Sequence, residues 1–272
     1  MEYIFSQAPY RCRLDWGLVG TERAIERGDI IVIVDTLSFS TTTAYAVSRG
    51  ALIYPCSPYD DAQELALSIG GEAAVHRAEV PHLGRYSLSP LTFSTVGNGD
   101  KIVLPSLNGS ACSRCVDDGL VLAGALVNAE AVASAVTAYL SGTTKSVTVI
   151  ACGEREKRPG PAGDLRPAIE DWLGAGAIIA RLDFTKSPEA KLAEVAFLGS
   201  KSEIAALLWD CVSSRELRAA GFDEDVLFAS SLDTIDAVPI LANSGFGLGT
   251  GRFFKCLQGK GFACPGNLGI VL

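Results

Sequence analysis

This chain of 272 residues predicts an α/β fold, with mostly parallel sheets flanked by helices and arranged as two α/β subdomains. Three observations carry that prediction. Ile30–Val34 is an unbroken run of five β-branched residues, which suits a strand buried on both faces. Comparable apolar runs alternate with helical patterns over short connections, as a parallel sheet covered by helices requires. Glycine follows several helical stretches, at Gly50, Gly70 and Gly221, where helices commonly end.

The strand-like runs, in order, are Ile30–Val34, 51–55, 73–75, 102–104, 120–123, 146–151 and 238–241. Helical patterns occupy 60–68, 129–139, 167–182, 188–198 and 201–210, and the apolar stretch 178–182 is read as part of its helix. A hinge is expected near 124–128 or 141–144, where a new strand-helix unit begins. The expected organisation is a first subdomain over 1–127, a second over 128–242, and a Gly-rich tail over 243–272. Charge runs at 154–158 and 215–225 read as solvated surface. The tail's GFGLGTG is a weak nucleotide fingerprint, because it lacks a βαβ setting.

Composition narrows the functional classes. A hydrophobic share of 48% with 20% charged residues suits a globular protein. The net charge of −8 argues against nucleic acid as the main partner, and an anionic substrate then needs a local positive patch. No apolar stretch approaches the ~18 residues of a transmembrane helix, and the N-terminal residues do not read as a signal peptide. Eight cysteines without such a signal point to reduced thiols and a cytoplasmic protein. Only His76 and His82 are present, so zinc catalysis is disfavoured, and the pair Cys112 and Cys115 reads as core or surface thiols.

Three strand ends lead into polar loops. The first runs from Asp35 into Ser38, Ser40, Thr41, Thr42 and Thr43, where the next helix starts and its free N–H groups favour anions. The second is Pro105 to Ser110, with Asn108 and Gly109 in a turn and Ser110 as a cap. The third is Cys152, Gly153, Glu154 and Arg155, followed by a helix carrying Glu170 and Asp171. If the three strands are parallel, these loops meet at one edge of the sheet. Phosphoryl transfer needs positioned cations, and magnesium needs one or two carboxylates plus phosphate oxygens and water. Asp35, Glu79, Glu154, Glu170 and Asp171 are the candidate ligands. Arg77, Arg85, Arg155 and Arg166 are the candidate phosphate clamps. An aspartyl-phosphate enzyme would want an acid at the position of Leu37, so that chemistry is set aside.

These segments resemble the magnesium-dependent 2-phosphosulfolactate phosphatases over residues 10–242. The anchors are VDTLSFSTTTAYAVSRGA from Val34, SLSP from Ser87, LNGSA from Leu107, ALVNAEAVA from Ala125, ACGE from Ala151, EDWLGAGAI from Glu170 and the stretch from Ser213 to Leu241. The resemblance implies an α/β fold, hydrolysis of a small anionic phosphate monoester, Mg2+ as cofactor, and a homodimer or higher homo-oligomer. It implies Asp35 and Arg77 in catalysis, where Glu79 is expected to stand in for a lost acid, with Asp35, Glu170 and Asp171 on the metal. Ser38, Thr41, Asn108, Gly109, Ser110, Cys152 and Gly153 are implied around the phosphate. Ser38 stands where the family pattern has arginine, and acids of the pattern are absent around 75–90. Arg85 and Glu79 are the expected replacements. The departures leave open an alternative, a catalytically degenerate member that binds a small phosphate or sulfonate anion.

Overall fold

The computed structural model describes residues 6–116, 119–155, 165–242 and 244–248. Residues 156–158 of the first charge run and the tail beyond Leu248 lie outside the described residues. The strands are β1 (Cys12–Trp16), β2 (Ile30–Val34), β3 (Leu52–Cys56), β4 (Glu72–Ala73), β5 (Lys101–Pro105), β6 (Val121–Gly124), β7 (Val147–Ala151), β8 (Glu154–Arg155), β9 (Leu165–Arg166), β10 (Pro239–Ala242) and β11 (Gly245–Leu248). The helices are α1 (Gly17–Glu26), α2 (Phe39–Ser48), α3 (Ala62–Ile69), α4 (Gly109–Arg114), α5 (Ala129–Leu140), α6 (Ile169–Ile179), α7 (Pro188–Ser200), α8 (Ile204–Asp210), α9 (Val212–Ala219) and α10 (Asp223–Ala229).

Among the described residues one sheet of nine strands runs in the order β1, β7, β2, β6, β10, β11, β3, β5, β4, and β8 and β9 form a small separate ribbon. The α/β class with helices on both faces is therefore as expected. β7, from beyond residue 128, lies between β1 and β2, so strands from both sides of the expected 127/128 boundary share the sheet.

β2 explains the core. Its Ile30, Val32 and Val34 point into an apolar layer with α5, α6 and α7, while Ile31 and Ile33 point into a second layer with Phe39, Ile53, Ile102 and Phe246. A strand buried on both faces has no polar alternation, and each Ile or Val so buried contributes about 1.5–3 kcal/mol.

Three parts of the fold differ from expectation. β1 and α1 were not read as elements, because Arg13 and Asp15 interrupt the apolar pattern of β1. Arg13 is buried there against Asp29 at 2.7 Å, which satisfies both charges. The start of the Gly-rich tail is also strand: Phe246 of β11 is fully buried and pairs with Ile53 of β3. That strand does follow another, β10, but as an antiparallel hairpin, so Gly245 and Gly247 serve the sheet, and the rest of the string lies outside the described residues.

The hairpin also overturns the all-parallel premise. β2 and β6 are parallel, β6–β10, β10–β11 and β11–β3 are antiparallel, and β3–β5 is parallel, so β5 runs against β2 and β7. Five steps separate β2 from β5, and a twist of about 20–25° per step accumulates to about 100–125°. The two directions are thus turned towards a crossing, and the loop after β5 swings back to the carboxyl end of β2. Among the described residues no helix is long and apolar enough to cross a membrane.

Candidate active site

Asp35 follows the last residue of β2 and is buried. Its Oδ1 accepts N–H bonds from Ser38 at 2.8 Å and Phe39 at 3.2 Å, and its Oδ2 accepts one from Gly109 at 2.9 Å. The amides at the start of α2 therefore hold a carboxylate of their own loop. Gly109 is required at its position, since a Cβ would lie 2.4 Å from the Phe39 ring.

The hydroxyls after Asp35 are internal supports. Ser40 Oγ donates to Ile33 O at 2.9 Å, Thr41 Oγ1 to Thr36 O at 2.9 Å, and Thr42 Oγ1 to Leu88 O at 2.8 Å. Ser110 Oγ likewise donates to Leu104 O at 2.9 Å. The Thr41 hydroxyl, expected at the phosphate, is turned into the protein, as is that of Ser110, because a buried backbone carbonyl needs a donor.

α6 enters the site at its N-terminus with Glu170 and Asp171, both buried. Asp171 joins two loops: Thr36 N–H donates to Oδ1 at 2.7 Å and Gly153 N–H donates to Oδ2 at 2.8 Å. Gly153 has φ +66°, and a Cβ there would sit 2.9 Å from Arg166 O. Both residues expected at the phosphate or metal, Gly153 and Asp171, thus bond each other. Cys152 is buried in the same apolar layer as Cys112, and that burial raises its thiol well above the ordinary range.

Glu154 starts the β8–β9 ribbon, and Asn108 Nδ2 donates to its Oε2 at 3.0 Å. Asn108 is 9% exposed, and its Oδ1 is buried without a hydrogen-bond partner. Asp35, Glu154, Glu170 and Asp171 therefore lie close enough to repel one another where three loops meet. Burial pushes Glu154 up to about 7, with repulsion from Asp35 adding to it. Burial raises Asp171 well above the usual carboxylate range, followed by repulsion from Asp35 and Glu170. Asp35 is raised by burial against the opposing pull of its three N–H donors.

Of the expected cations, Arg77 reaches the Asp35 loop. Its Nη2 donates to Ser38 Oγ and, at 3.0 Å, to Leu88 O, while its Nε pairs with Asp225 Oδ2 at 2.9 Å. Arg166 lies close enough to Glu154 to favour its charged form, and its Nη2 donates to Ser213 Oγ at 3.3 Å. Arg85 and Glu79 are not brought to this point. Arg85 is exposed and paired with Glu72 of the edge strand β4. Glu79 Oε2 accepts from His76 N–H at 2.9 Å and closes its own 3-10 turn.

Asp225 was missed, because it sits in the charge run 215–225. It is buried, accepts from Arg77, and accepts from Ser89 Oγ at 2.5 Å. The available signal was helical spacing, since Asp225 shares a face with the apolar Val226 and Ala229. A cavity of about 170 Å³ lined by Ile25, Asp29, Ile30, Leu120 and Lys145 lies at the amino end of β2, away from Asp35. Its carboxylate, Asp29, is already paired with Arg13 and Arg27.

The sequence model of the 2-phosphosulpholactate phosphatase family matches residues 19–244. A probable 2-phosphosulfolactate phosphatase of Carboxydothermus hydrogenoformans is 31% identical over 218 residues, covering 77% of this chain and 84% of that protein. The 2-phosphosulfolactate phosphatase of Methanocaldococcus jannaschii is 28% identical over 220 residues, covering 78% and 89%. That of Methanothermobacter thermautotrophicus is 29% identical over 216 residues, covering 79% and 88%. The matched span includes every loop that meets at Asp35, and on this match the chain belongs to the 2-phosphosulfolactate phosphatase family.

Proposed function

We propose that this chain hydrolyses the phosphate monoester of 2-phosphosulfolactate, or of a close anionic analogue, with Mg2+ bound. The observation that carries the proposal is Asp35, a buried carboxylate aimed by three amides into the meeting point of three loops. Oδ1 has both lone pairs engaged, whereas Oδ2 keeps one for a ligand or an attacking water. In that role Asp35 orients the water and takes up its proton.

The residues present fit a hard cation. The buried Asn108 Oδ1 lacks a donor, and it stands beside carboxylates whose proton affinities are raised by burial and then by mutual repulsion. Among the described residues no three of the His, Cys, Asp and Glu side chains form a ready cage. Mg2+ commonly takes one or two carboxylates and fills its other positions with water and phosphate oxygens. Asn108 Oδ1 with Glu154 and Glu170 would hold it, Asp35 Oδ2 being kept for the water, and Asp171 would keep the loops in place. Bound there, the cation supplies charge neutralisation at the phosphoryl oxygens.

A cytoplasmic location is supported by the six described cysteines, all free thiols. A homo-oligomer is supported by the apolar face of α7, where Leu192, Val195 and Leu198 are exposed, and mass in solution tests it. The deciding assay for the activity is phosphate release from 2-phosphosulfolactate with magnesium and with chelator. Magnesium-dependent release is expected. No release from folded protein would overturn the proposal, and melting shifts with the same ester would then identify a binding protein.

A further inference from the structure

Arg77 and Asp225 are 148 residues apart and form an ion pair whose side chains are only 15% and 4% exposed. A buried carboxylate of this kind is costly to desolvate, and both of its oxygens are engaged: Oδ2 by Arg77 Nε at 2.9 Å and Oδ1 by Ser89 Oγ at 2.5 Å. On the guanidinium, Nη2 is committed to Ser38 Oγ and Leu88 O. Nε and Nη2 are thus pinned on the protein side, and the Nη1 edge is the part these bonds leave to a ligand. The plane of the fork is therefore fixed by Asp225, Ser38 and Leu88 before any ligand arrives.

Ser38 makes the link to the reaction. Its N–H donates to Asp35 Oδ1 at 2.8 Å while its Oγ accepts from Arg77. The acidic point around Asp35 and the cation at Arg77 thus stand on two sides of one residue. A small ester with its phosphoryl group at Asp35 would have only Ser38 between that group and the guanidinium.

Resting on the phosphatase reading above, we propose that Arg77 clamps the acid group of the substrate that is not transferred, a sulfonate or carboxylate, and that Asp225 is its positioning residue. Asp225 sets the fork's angle and does not itself touch the substrate. Selectivity for esters with a second acid group then comes from this pair.

The test compares 2-phosphosulfolactate with glycerol 2-phosphate, a monoester without a second acid. Asp225→Asn is expected to raise KM for the first at least about tenfold, with little change in kcat and no change with the second. Arg77→Lys, which keeps the charge but loses the fork, is expected to raise KM at least about tenfold more for the first ester than for the second and serves if Asp225→Asn does not fold. Equal losses with both esters, or unchanged KM for 2-phosphosulfolactate, would overturn the proposal. If the wild-type protein releases phosphate from neither ester, the phosphatase reading fails, and the clamp is read by calorimetric binding of sulfolactate. At least about tenfold weaker binding in either variant then supports it. Equal affinity, or no binding by the wild-type protein, overturns it.

Discussion

Asp35 and Gly109, 74 positions apart, are joined by a 2.9 Å hydrogen bond from the Gly109 amide to Asp35 Oδ2. That bond closes the site, because it ties the carboxyl end of β2 to a loop whose own strand runs in the opposite sense.

Asp35→Asn keeps the side-chain shape but turns one acceptor into a donor facing a backbone N–H. A stability loss of about 1–3 kcal/mol is expected with the fold retained. Turnover is expected to fall by roughly 10²–10⁴-fold, as for loss of a proton-accepting group. Chemical denaturation and single-turnover phosphate release check the two parts, and an active, folded variant would refute the role of Asp35.

Gly109→Ala places a methyl 2.4 Å from the Phe39 ring, so either the ring or the loop must move. A destabilisation of about 1–3 kcal/mol is expected from the overpacking. Activity should drop further than stability explains, because the amide leaves Asp35 Oδ2. Phe39→Leu in the same chain should recover part of both losses, which a double-mutant cycle measures.

Asp171→Asn distinguishes a loop staple from a metal ligand. Asp171 holds Thr36 and Gly153 through its two oxygens, so the amide leaves one N–H without an acceptor. The expected result is a lower melting temperature with magnesium affinity changed far less than by Glu154→Gln. Titration calorimetry with magnesium gives the comparison. Greater weakening in Asp171→Asn than in Glu154→Gln would make Asp171 the ligand.

The pH dependence follows from Glu154, whose pKa rises from 4.5 unfolded to about 7 in the fold through burial and then repulsion by Asp35. The folded protein keeps this proton longer than the unfolded chain, so in chelator stability falls as pH rises from about 4.5 to 7. Below that window the group costs nothing, and above it the penalty is complete. Glu154→Gln should therefore be more stable than the wild-type protein at pH 8, by up to about 3 kcal/mol, and equal to it at pH 4. Added magnesium should stabilise the wild-type protein at pH 8 and have little effect on the variant. Urea melts at the two pH values, with and without magnesium, check each statement.

Local pattern determined much of this protein. The apolar runs set β2, β3, β5, β6, β7 and β10 to within a residue or two, most plainly β2 and β6, whose burial on both faces demands uninterrupted apolar side chains whatever their neighbours. The strand-end position of Asp35, Asn108, Gly109 and Glu154 was legible for the same reason. Pairing across the sheet was not. Nothing in residues 239–248 alone states that a hairpin enters between β6 and β3, reverses β5 against β2, and turns tail glycines into core strand. Asp225 reads as part of a solvated charge run, and Arg13 suggests no role, since each is made compatible with burial only by a partner outside its own element, Asp29 in one case and Arg77 with Ser89 in the other. Thr41 reads as a phosphate ligand, but its hydroxyl, like that of Ser110, serves a buried carbonyl. Periodicity records which faces are apolar, whereas the partner of each polar group is chosen by long-range packing, and only the tertiary structure decides it.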